Sequence, residues 1–515
     1  MDLTSPIGIL AAVREQFNIS IILLVIFGLI LRSIYRLYLH PLHHIPGPKL
    51  AAISHAYEFY HDVIRGGLFV WEIEKMHEKY GPIVRINPRE VHIKDPYFYD
   101  ELYAPSSGVR DKDPKSVVIF SAPTSLVATV DHQTHRMRRK LLNNFFSRRS
   151  IENIEPVIHK SLSRFLDGLT TAHKEGSVVE LIDRLQGLTG DVITEYAYGE
   201  NYGLQDPENY GKGIVKVVQE GTDQIHFFRF FPLISQLLRY VPSWFMGQVF
   251  PARAAIYQLL DGVRKQSILA LQQKNTSNAP QRMTIFQALT APEVPPEERN
   301  LRRLEDEGLI LFAAGTETTA TTLSVALFYI LNDKRVLSKL RRELEQVMPT
   351  PQHPTTWREL EKLPYLTAVI REALRFSGIV MRQQRISPTQ ALKYKDIVLP
   401  PGTPVSMIAR FVHMDPTIFP DPTTFHPERW MLAAGRDEGL SKFLVTFSRG
   451  NRGCIGLNLA YAELYNTLAA VVRRFDLELY QTTPENIRFV RDKLLPRSKD
   501  GCWTVRVKVV GIREE

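Results

Sequence analysis

The sequence predicts one large, mainly α-helical domain with a small β portion, set behind an N-terminal transmembrane helix. Three observations carry that reading. Residues 17–31, FNISIILLVIFGLIL, hold no charge. From Asp131 to about Arg474 apolar residues recur mostly at helical spacing, interrupted by loops that contain Pro and Gly. No Pro- or Ser-rich linker and no repeat of 20–50 residues divides the body. The chain has 515 residues, enough for a sizeable core, and its 44% hydrophobic and 23% charged residues are a globular composition.

Taken in order, residues 1–16 read as a short lumenal segment and 17–39 as the membrane anchor. The uncharged run falls short of the roughly 20 residues a bilayer core needs. RSIYRLYLH lengthens it, because Arg32 and Arg36 can snorkel while Ile34, Tyr35, Leu37 and Tyr38 stay in the interface. A cleaved signal peptide would end in a small-x-small site, and none follows the run. Asp2, Arg14 and Glu15 precede the span while Arg32, Arg36 and Lys49 follow it, so the positive-inside bias leaves the body in the cytosol. In HPLHHIPGPKL, Pro41, Pro46 and Pro48 cannot continue a helix, and residues 40–50 are expected to be a stiff, extended hinge before the domain of residues 51–515.

Within the domain, WEIEKMHEKYG (71–81) has helical periodicity and a glycine stop, and IVRINPREVHI (83–93) reads as two strands about an Asn-Pro turn. Residues 391–407 form a strand-and-turn region, and FDLELY and WTVRVKVV close the chain as strands. Residues 297–333 run as one long helix without proline. In its middle, AAGTETT, Gly315 weakens the backbone and threonine hydroxyls compete for carbonyls, so a local bend is expected. Ala313, Ala314 and Gly315 would let a flat group lie close to the backbone. Glu317 is the lone acid in an uncharged run from Gly308 to Asn332. By itself this pattern also fits a tight helix crossing with an exposed glutamate. YLTAVIREALRF (365–376) places Glu372 and Arg375 at i and i+3. Glu485 and Arg488 share that spacing, and most such pairs are solvated and worth under about 1 kcal/mol. What distinguishes the first pair is its company: FHPERWM (425–431) adds Arg429 shortly before the segment FSRGNRGCIG (447–456).

That segment holds Cys454, one of two cysteines; Cys502 is the other, and the two lack C-x-x-C spacing. Its glycines permit a tight turn whose N–H groups can point at sulfur, Arg452 adds charge for an anionic cofactor edge, and a helix starts just behind. A nucleophilic cysteine would want a histidine base, and none lies in the segment, although the fold could bring one from afar. A structural cysteine leaves the arginine and the glycines unexplained. A metal held by one thiolate and a planar macrocycle, that is haem, accounts for all of them. The net charge of +9 invites a nucleic-acid partner, but the basic residues are dispersed and no helix-turn-helix, finger or RNA-binding signature is present. A basic face for an acidic protein or anionic lipid fits better.

With these segments in view, the chain resembles the cytochromes P-450, haem-thiolate monooxygenases. The family's F-x-x-G-x-R-x-C-x-G pattern is matched at Phe447, Gly450, Arg452, Cys454 and Gly456. Its [AG]-G-x-[DE]-T-[TS] pattern is matched at Ala314, Gly315, Glu317, Thr318 and Thr319, and its E-x-x-R pair at Glu372 and Arg375, with Arg429 completing a triad. The likeness covers nearly the whole chain. LHPLHHIPGPKLAAIS and HRMRRKLLNNFFSRRS look most like filamentous-fungal members that oxidise terpenoids and polyketides, such as the trichodiene oxygenase group. There are two departures. His135 and Arg139 stand where the family often has W-x-x-x-R, and Gly378 replaces a proline after E-x-x-R, which leaves GIVM looser.

The resemblance implies a cytochrome P-450-type domain with haem b, Cys454 being the axial ligand to iron. It implies that Arg452, His135, Arg139 and Arg385 neutralise the propionates, with Phe447, Gly450, Gly456, Ala314 and Gly315 shaping the haem site. Thr318 and Glu317 would be the catalytic pair handling oxygen and protons, and Glu372, Arg375 and Arg429 would hold the proximal side. The substrate pocket is expected to draw on residues 110–127 and 227–232, Phe312, Ala313, Ile379, Val380, Met381, Leu494 and Leu495. These are mostly apolar, which implies an apolar small-molecule substrate. Arg382, next to Met381, is a charge that could read a carboxylate or could simply face solvent. No flavin or nicotinamide region is fused on, so NADPH and flavins would act through a separate membrane-bound reductase, whose acidic surface Arg449 and Lys442 could face. The implied location is the endoplasmic reticulum membrane, single-pass, with the domain on the cytosolic side. The implied reaction inserts one atom of dioxygen into a terpenoid or polyketide substrate of secondary metabolism. A haem-thiolate isomerase or dehydratase would need neither dioxygen nor reductase, and a haem carrier or sensor would need no oxygen helix; Glu317 and Thr318 argue for the oxygenase.

Overall fold

The structure, a computed structural model, describes residues 6–105, 108–206, 221–238, 241, 245, 248, 254–272, 283–432, 439–501 and 503–513. Cys502 and parts of the 227–250 region lie outside the described residues. The first helix, Pro6–Ile34, starts well before residue 17 and continues as a π-helix over Tyr35–Leu39. The most apolar part of the stretch Gln16–Leu39 is not buried by any of the described residues; the domain is met only at its end, near Arg36 and Leu37. Leu301–Asn332 is also long and apolar enough to span a membrane, but 67% of its window is buried, which makes it a core helix.

Residues 40–50 differ from the extended hinge expected. They fold back in turns closed by His43 N–H to the His40 carbonyl (2.8 Å) and Ile45 N–H to the Leu42 carbonyl (3.1 Å). The prolines do prevent a helix, but Leu42 and Ile45 are buried in the cluster that includes Ile83, Val91 and Val405, each worth about 1.5–3 kcal/mol. The anchor is therefore packed onto the domain, and the Arg36 guanidinium reinforces this by donating to the Ile53 carbonyl.

The helix Phe69–Tyr80 ends at Gly81, whose φ of +95° suits glycine. The strands Ile83–Arg85 and Val91–Ile93 pair antiparallel and belong to a five-stranded sheet. From Val91–Ile93 that sheet continues through Pro404–Ser406 and Arg385–Ile386 to Asp111–Lys112. The strands Leu392–Tyr394 and Ile397–Leu399 form a hairpin, and Arg506–Ile512 pairs with both Val178–Glu180 and Phe475–Leu479. The main core surrounds Leu301–Asn332, which packs on Leu181–Tyr198, Pro364–Ser377 and Leu457–Arg474. Asn300 caps the long helix through Arg303 N–H (2.9 Å).

That helix runs unbroken from Leu301 to Asn332. The hydroxyls of Thr316, Thr318, Thr321 and Thr322 each donate to the carbonyl four residues back, at 2.7–3.1 Å. They supplement the helix ladder instead of replacing it. Gly315 has a different purpose from the one expected. A Cβ there would lie 2.8 Å from Ile193, so the missing side chain lets Leu181–Tyr198 pack against the long helix.

Candidate active site

The cysteine loop is shaped by backbone constraints. Gly450 has φ +67°, and a Cβ on it would sit 2.4 Å from the Tyr103 carbonyl, so only glycine fits. A short 3-10 turn, Gly450–Arg452, is closed by Gly453 N–H to the Gly450 carbonyl (3.0 Å), and Cys454 N–H donates to the Phe447 carbonyl (2.8 Å). Phe447 supports the loop from behind, 5.5 Å from Tyr461. Cys454 is exposed, and Leu457–Arg474 begins just after it, with Gly456 as cap. Burial among protein atoms pushes the Cys454 thiol up, while the Gly456 N–H and the Arg139 charge pull it down.

Five basic side chains gather beside this loop: Lys112, His135, Arg139, Arg385 and Arg452. Lys112 stands directly opposite Arg385 across two strands, a pairing that costs stability unless an anion offsets it. His135 is buried and pushed down to about 2 by burial and by Arg452, Lys112, Arg139 and Arg385. Arg452 is lowered to about 10 by burial and by Arg385, with Asp111 and Asp131 opposing. Among the described residues none of the five enters an ion pair. Arg452 instead donates to the carbonyls of Arg110, Thr129 and Val130 (2.6–3.2 Å). Arg139 reaches the Gly453 carbonyl and Lys112 that of Val127. Arg385 lies 5.0 Å over the Tyr103 ring.

On the long helix, Ala314 is exposed and Ala313 and Thr318 are half-buried, so this side of the helix remains open. Thr318 donates to the Ala314 carbonyl at 2.7 Å. Glu317 points elsewhere: it is buried, with Oε1 2.7 Å from Arg497 Nη2. Arg497 also donates to Thr222 Oγ1 at 2.6 Å. On the other side of the loop, Glu372 is fully buried and accepts from Arg375 (2.7 and 3.0 Å), Arg429 (3.1 Å), Trp430 (2.8 Å) and His426 N–H (3.0 Å). Arg375 donates onward to the carbonyls of His413 and Pro422 at 2.8 and 2.7 Å.

The family model described as cytochrome P-450 matches residues 54–502. The chain belongs to the cytochrome P-450 family. It is 43% identical to the conidiogenone synthase of Penicillium rubens, over 93% of this chain and 96% of that one. It is 40% identical to the monooxygenase TRI4 of Trichoderma arundinaceum, over 92% and 93%, and 41% identical to the monooxygenase astB of Aspergillus terreus, over 93% and 95%. A crystal structure of a cytochrome P-450 superposes with a TM-score of 0.69 at 18% identity, covering 86% of this chain and 98% of that one, which speaks for the fold. The protein is thus an oxidoreductase of the cytochrome P-450 monooxygenase kind, with haem as its cofactor.

The residues present fit haem. A single thiol faces outward from a loop whose N–H can bond sulfur, and a basic cluster without an ion pair among the described residues suits two propionates. Other expectations for this cytochrome P-450 need correction. Phe312 is 0% and Val380 1% exposed, so both side chains are core. Ile379, Met381 and Leu494 keep partial exposure, whereas Leu495 is buried. Arg382 does not read a substrate carboxylate. It is 2% exposed and ion-paired with Glu58 and Glu90. Gly315 serves helix packing, as above. Sequence reasoning missed Lys112, Arg497 and Trp430. No local motif marks them, because strand register or tertiary contact supplies their partners.

Proposed function

We propose that this cytochrome P-450 is a membrane-anchored monooxygenase that inserts one oxygen atom into an apolar small molecule of the terpenoid or polyketide kind, within a secondary-metabolite pathway of filamentous-fungal type. The observation that carries the haem-thiolate reading is the pairing of an outward-facing Cys454, hydrogen-bonded by Gly456 N–H, with five basic side chains that have no ion-pair partner among the described residues. The pathway class rests on the relatives, among them a conidiogenone synthase and TRI4.

Cys454 would hold the haem iron, and Lys112, His135, Arg139, Arg385 and Arg452 its carboxylate edge. Bound haem supplies the reductive activation of dioxygen, which side chains alone cannot perform. The chain's own residues bind, orient and deliver protons. Thr318 presents a hydroxyl on the open side of the long helix and is the group to pass a proton on. Glu317 is the source behind it, and drawing on it requires its bond to Arg497 to loosen. Glu372, Arg375 and Arg429 keep the loop side rigid. Ala313, Ile379 and Met381 contribute apolar pocket wall. NADPH and flavins enter through a separate reductase, and Arg449 and Lys442 are offered to its acidic face. Residues 17–39 place the enzyme in the endoplasmic reticulum membrane with its domain in the cytosol. Exposed Leu50, Tyr60, Leu233 and Leu237 add apolar surface for the same membrane.

Co-expression with neighbouring biosynthetic genes, followed by product analysis under isotopically labelled dioxygen, tests the proposal. The expected result is an NADPH-dependent product carrying one labelled oxygen. A rearranged product made without NADPH or label would overturn it in favour of an isomerase.

A further inference from the structure

Where the anchor meets the domain, three parts of the chain enclose a pocket of about 220 Å3. Leu37 and Tyr38 line it from the end of the span, His43, His44 and Lys49 from the turn that follows, and Arg85 from the strand Ile83–Arg85. Arg85 is the unusual member. It is 2% exposed, its Nη1 donates to the Arg36 carbonyl and its Nη2 to that of Pro88, both at 2.8 Å, and its buried Nε meets no acceptor among the described residues. A buried N–H without a partner costs about 1–3 kcal/mol, so a missing acceptor is the natural reading.

The charge around it has one sign. Among the described residues, Arg36, His43, His44, Lys49 and Arg85 enter no ion pair. Burial and the neighbouring Arg36 lower Arg85 to about 10, and His40 is held down by burial and by Arg85 and Arg36. The pocket lies at the end of the span Gln16–Leu39, which is headgroup depth if that span is the anchor. Next to it in the chain, Leu39 and Leu50 are 70% and 64% exposed, apolar surface suited to acyl chains.

We propose that this pocket binds the headgroup of an anionic phospholipid of the cytosolic leaflet, its phosphate accepting from the Arg85 Nε–H and from Lys49, His43 and His44. Charge-assisted hydrogen bonds to phosphate are short and strong, and basic pockets beside a span on the cytosolic side suit such headgroups. A choline headgroup would add a cation to a cluster already repelling itself. The inference rests on the membrane-anchor reading, but its test is separable from it.

The full-length haem-loaded protein, in uncharged detergent, is titrated with dioctanoyl phosphatidic acid, dioctanoyl phosphatidylcholine or inorganic phosphate. Thermal midpoint and lipid retained in native mass spectrometry are read together. Phosphatidic acid should raise the midpoint saturably with one lipid retained, and phosphatidylcholine should not. Lys49→Glu and His44→Glu, both exposed, should each weaken phosphatidic acid about tenfold while the haem spectrum stays unchanged. Arg85→Gln should abolish retention; if it fails to fold, the two exposed variants still decide. Equal response to both lipids, or unchanged affinity in the exposed variants, would overturn the proposal. Inorganic phosphate binding as tightly as phosphatidic acid would overturn it too, as a free-anion site. Failure of the anchor reading would show separately, as full-length protein in the soluble fraction of lysed cells.

Discussion

Replacing Arg497 by Met tests how Glu317 is held. The substitution keeps much of the volume and removes the guanidinium. Glu317 Oε1 loses its 2.7 Å partner and Thr222 its 2.6 Å donor. Both charged side chains are about 4% exposed, so solvent cannot take over. Breaking a buried pair from one side costs about 3–5 kcal/mol. The carboxylate has one escape, which is to take up a proton. For an ordinary carboxyl this costs about 3.7 kcal/mol at pH 7 and about 1.6 kcal/mol at pH 5.5. The stability deficit of Arg497→Met should therefore lie near 3–4 kcal/mol at pH 7 and shrink by about 2 kcal/mol on going to pH 5.5. Adding Glu317→Gln should recover most of the deficit, since no buried charge then remains. Urea unfolding of the haem protein, followed by loss of the haem band for wild type, both single variants and the double, measures this. Additive losses in the double variant, or a deficit that does not change with pH, would refute a coupled Glu317–Arg497 pair.

Cys454→Ser should abolish the red-shifted ferrous–CO band while Cys502→Ser keeps it, and the reverse outcome would reassign the ligand. Thr318→Ala should leave haem and substrate binding nearly intact but lower product formed per NADPH consumed, with peroxide or water taking the remainder; undiminished coupling and rate would remove Thr318 from proton delivery. Deleting residues 1–38 should release much of the protein from membranes with haem bound, because Leu42 and Ile45 stay packed, and exposed Leu233 and Leu237 should retain a fraction; complete loss of haem would show that the anchor is not independent. Stability should fall as pH drops below about 6.5. Burial holds His77 at about 4 and His413 at about 3, both accept a hydrogen bond at Nε2, and the unfolded chain protonates them first. Each contributes stability that is full above the unfolded value and lost towards the folded one, about 2 kcal/mol apiece by pH 5. A flat stability profile from pH 7 to 5, measured by urea midpoint, would contradict neutral buried histidines.

The fold was legible where local pattern decides it. Helical periodicity and a glycine stop located Phe69–Tyr80, and the Asn-Pro turn located its two strands. The long helix was legible because no proline interrupts it, but its start was not: it begins at Leu301 instead of 297, where the Asn300 side chain caps it. In the hinge, the prolines correctly excluded a helix, but they say nothing about Leu42 and Ile45 finding a core to enter. Gly315 is a similar case. Small residues announce a close approach without naming what approaches, and here it is Ile193.

Charge was the least legible feature, for a physical reason. An arginine's meaning depends on which carboxylates the fold brings within about 4 Å, and sequence distance carries none of that. Glu372–Arg375 and Glu485–Arg488 share one spacing. The first pair is fully buried, with Arg429 and Trp430 added, while the second is 67–73% exposed. Arg382 and Arg385, three residues apart, differ just as sharply. Arg382 meets Glu58, Asp62 and Glu90 and is raised by them, so its charge is already answered within the protein. Arg385 meets Lys112 across the strand and is lowered by burial, so its charge awaits an answer from outside. That difference separates a structural arginine from one that binds an anion, and it follows from register: a strand shifted by one residue would no longer set Arg385 opposite Lys112.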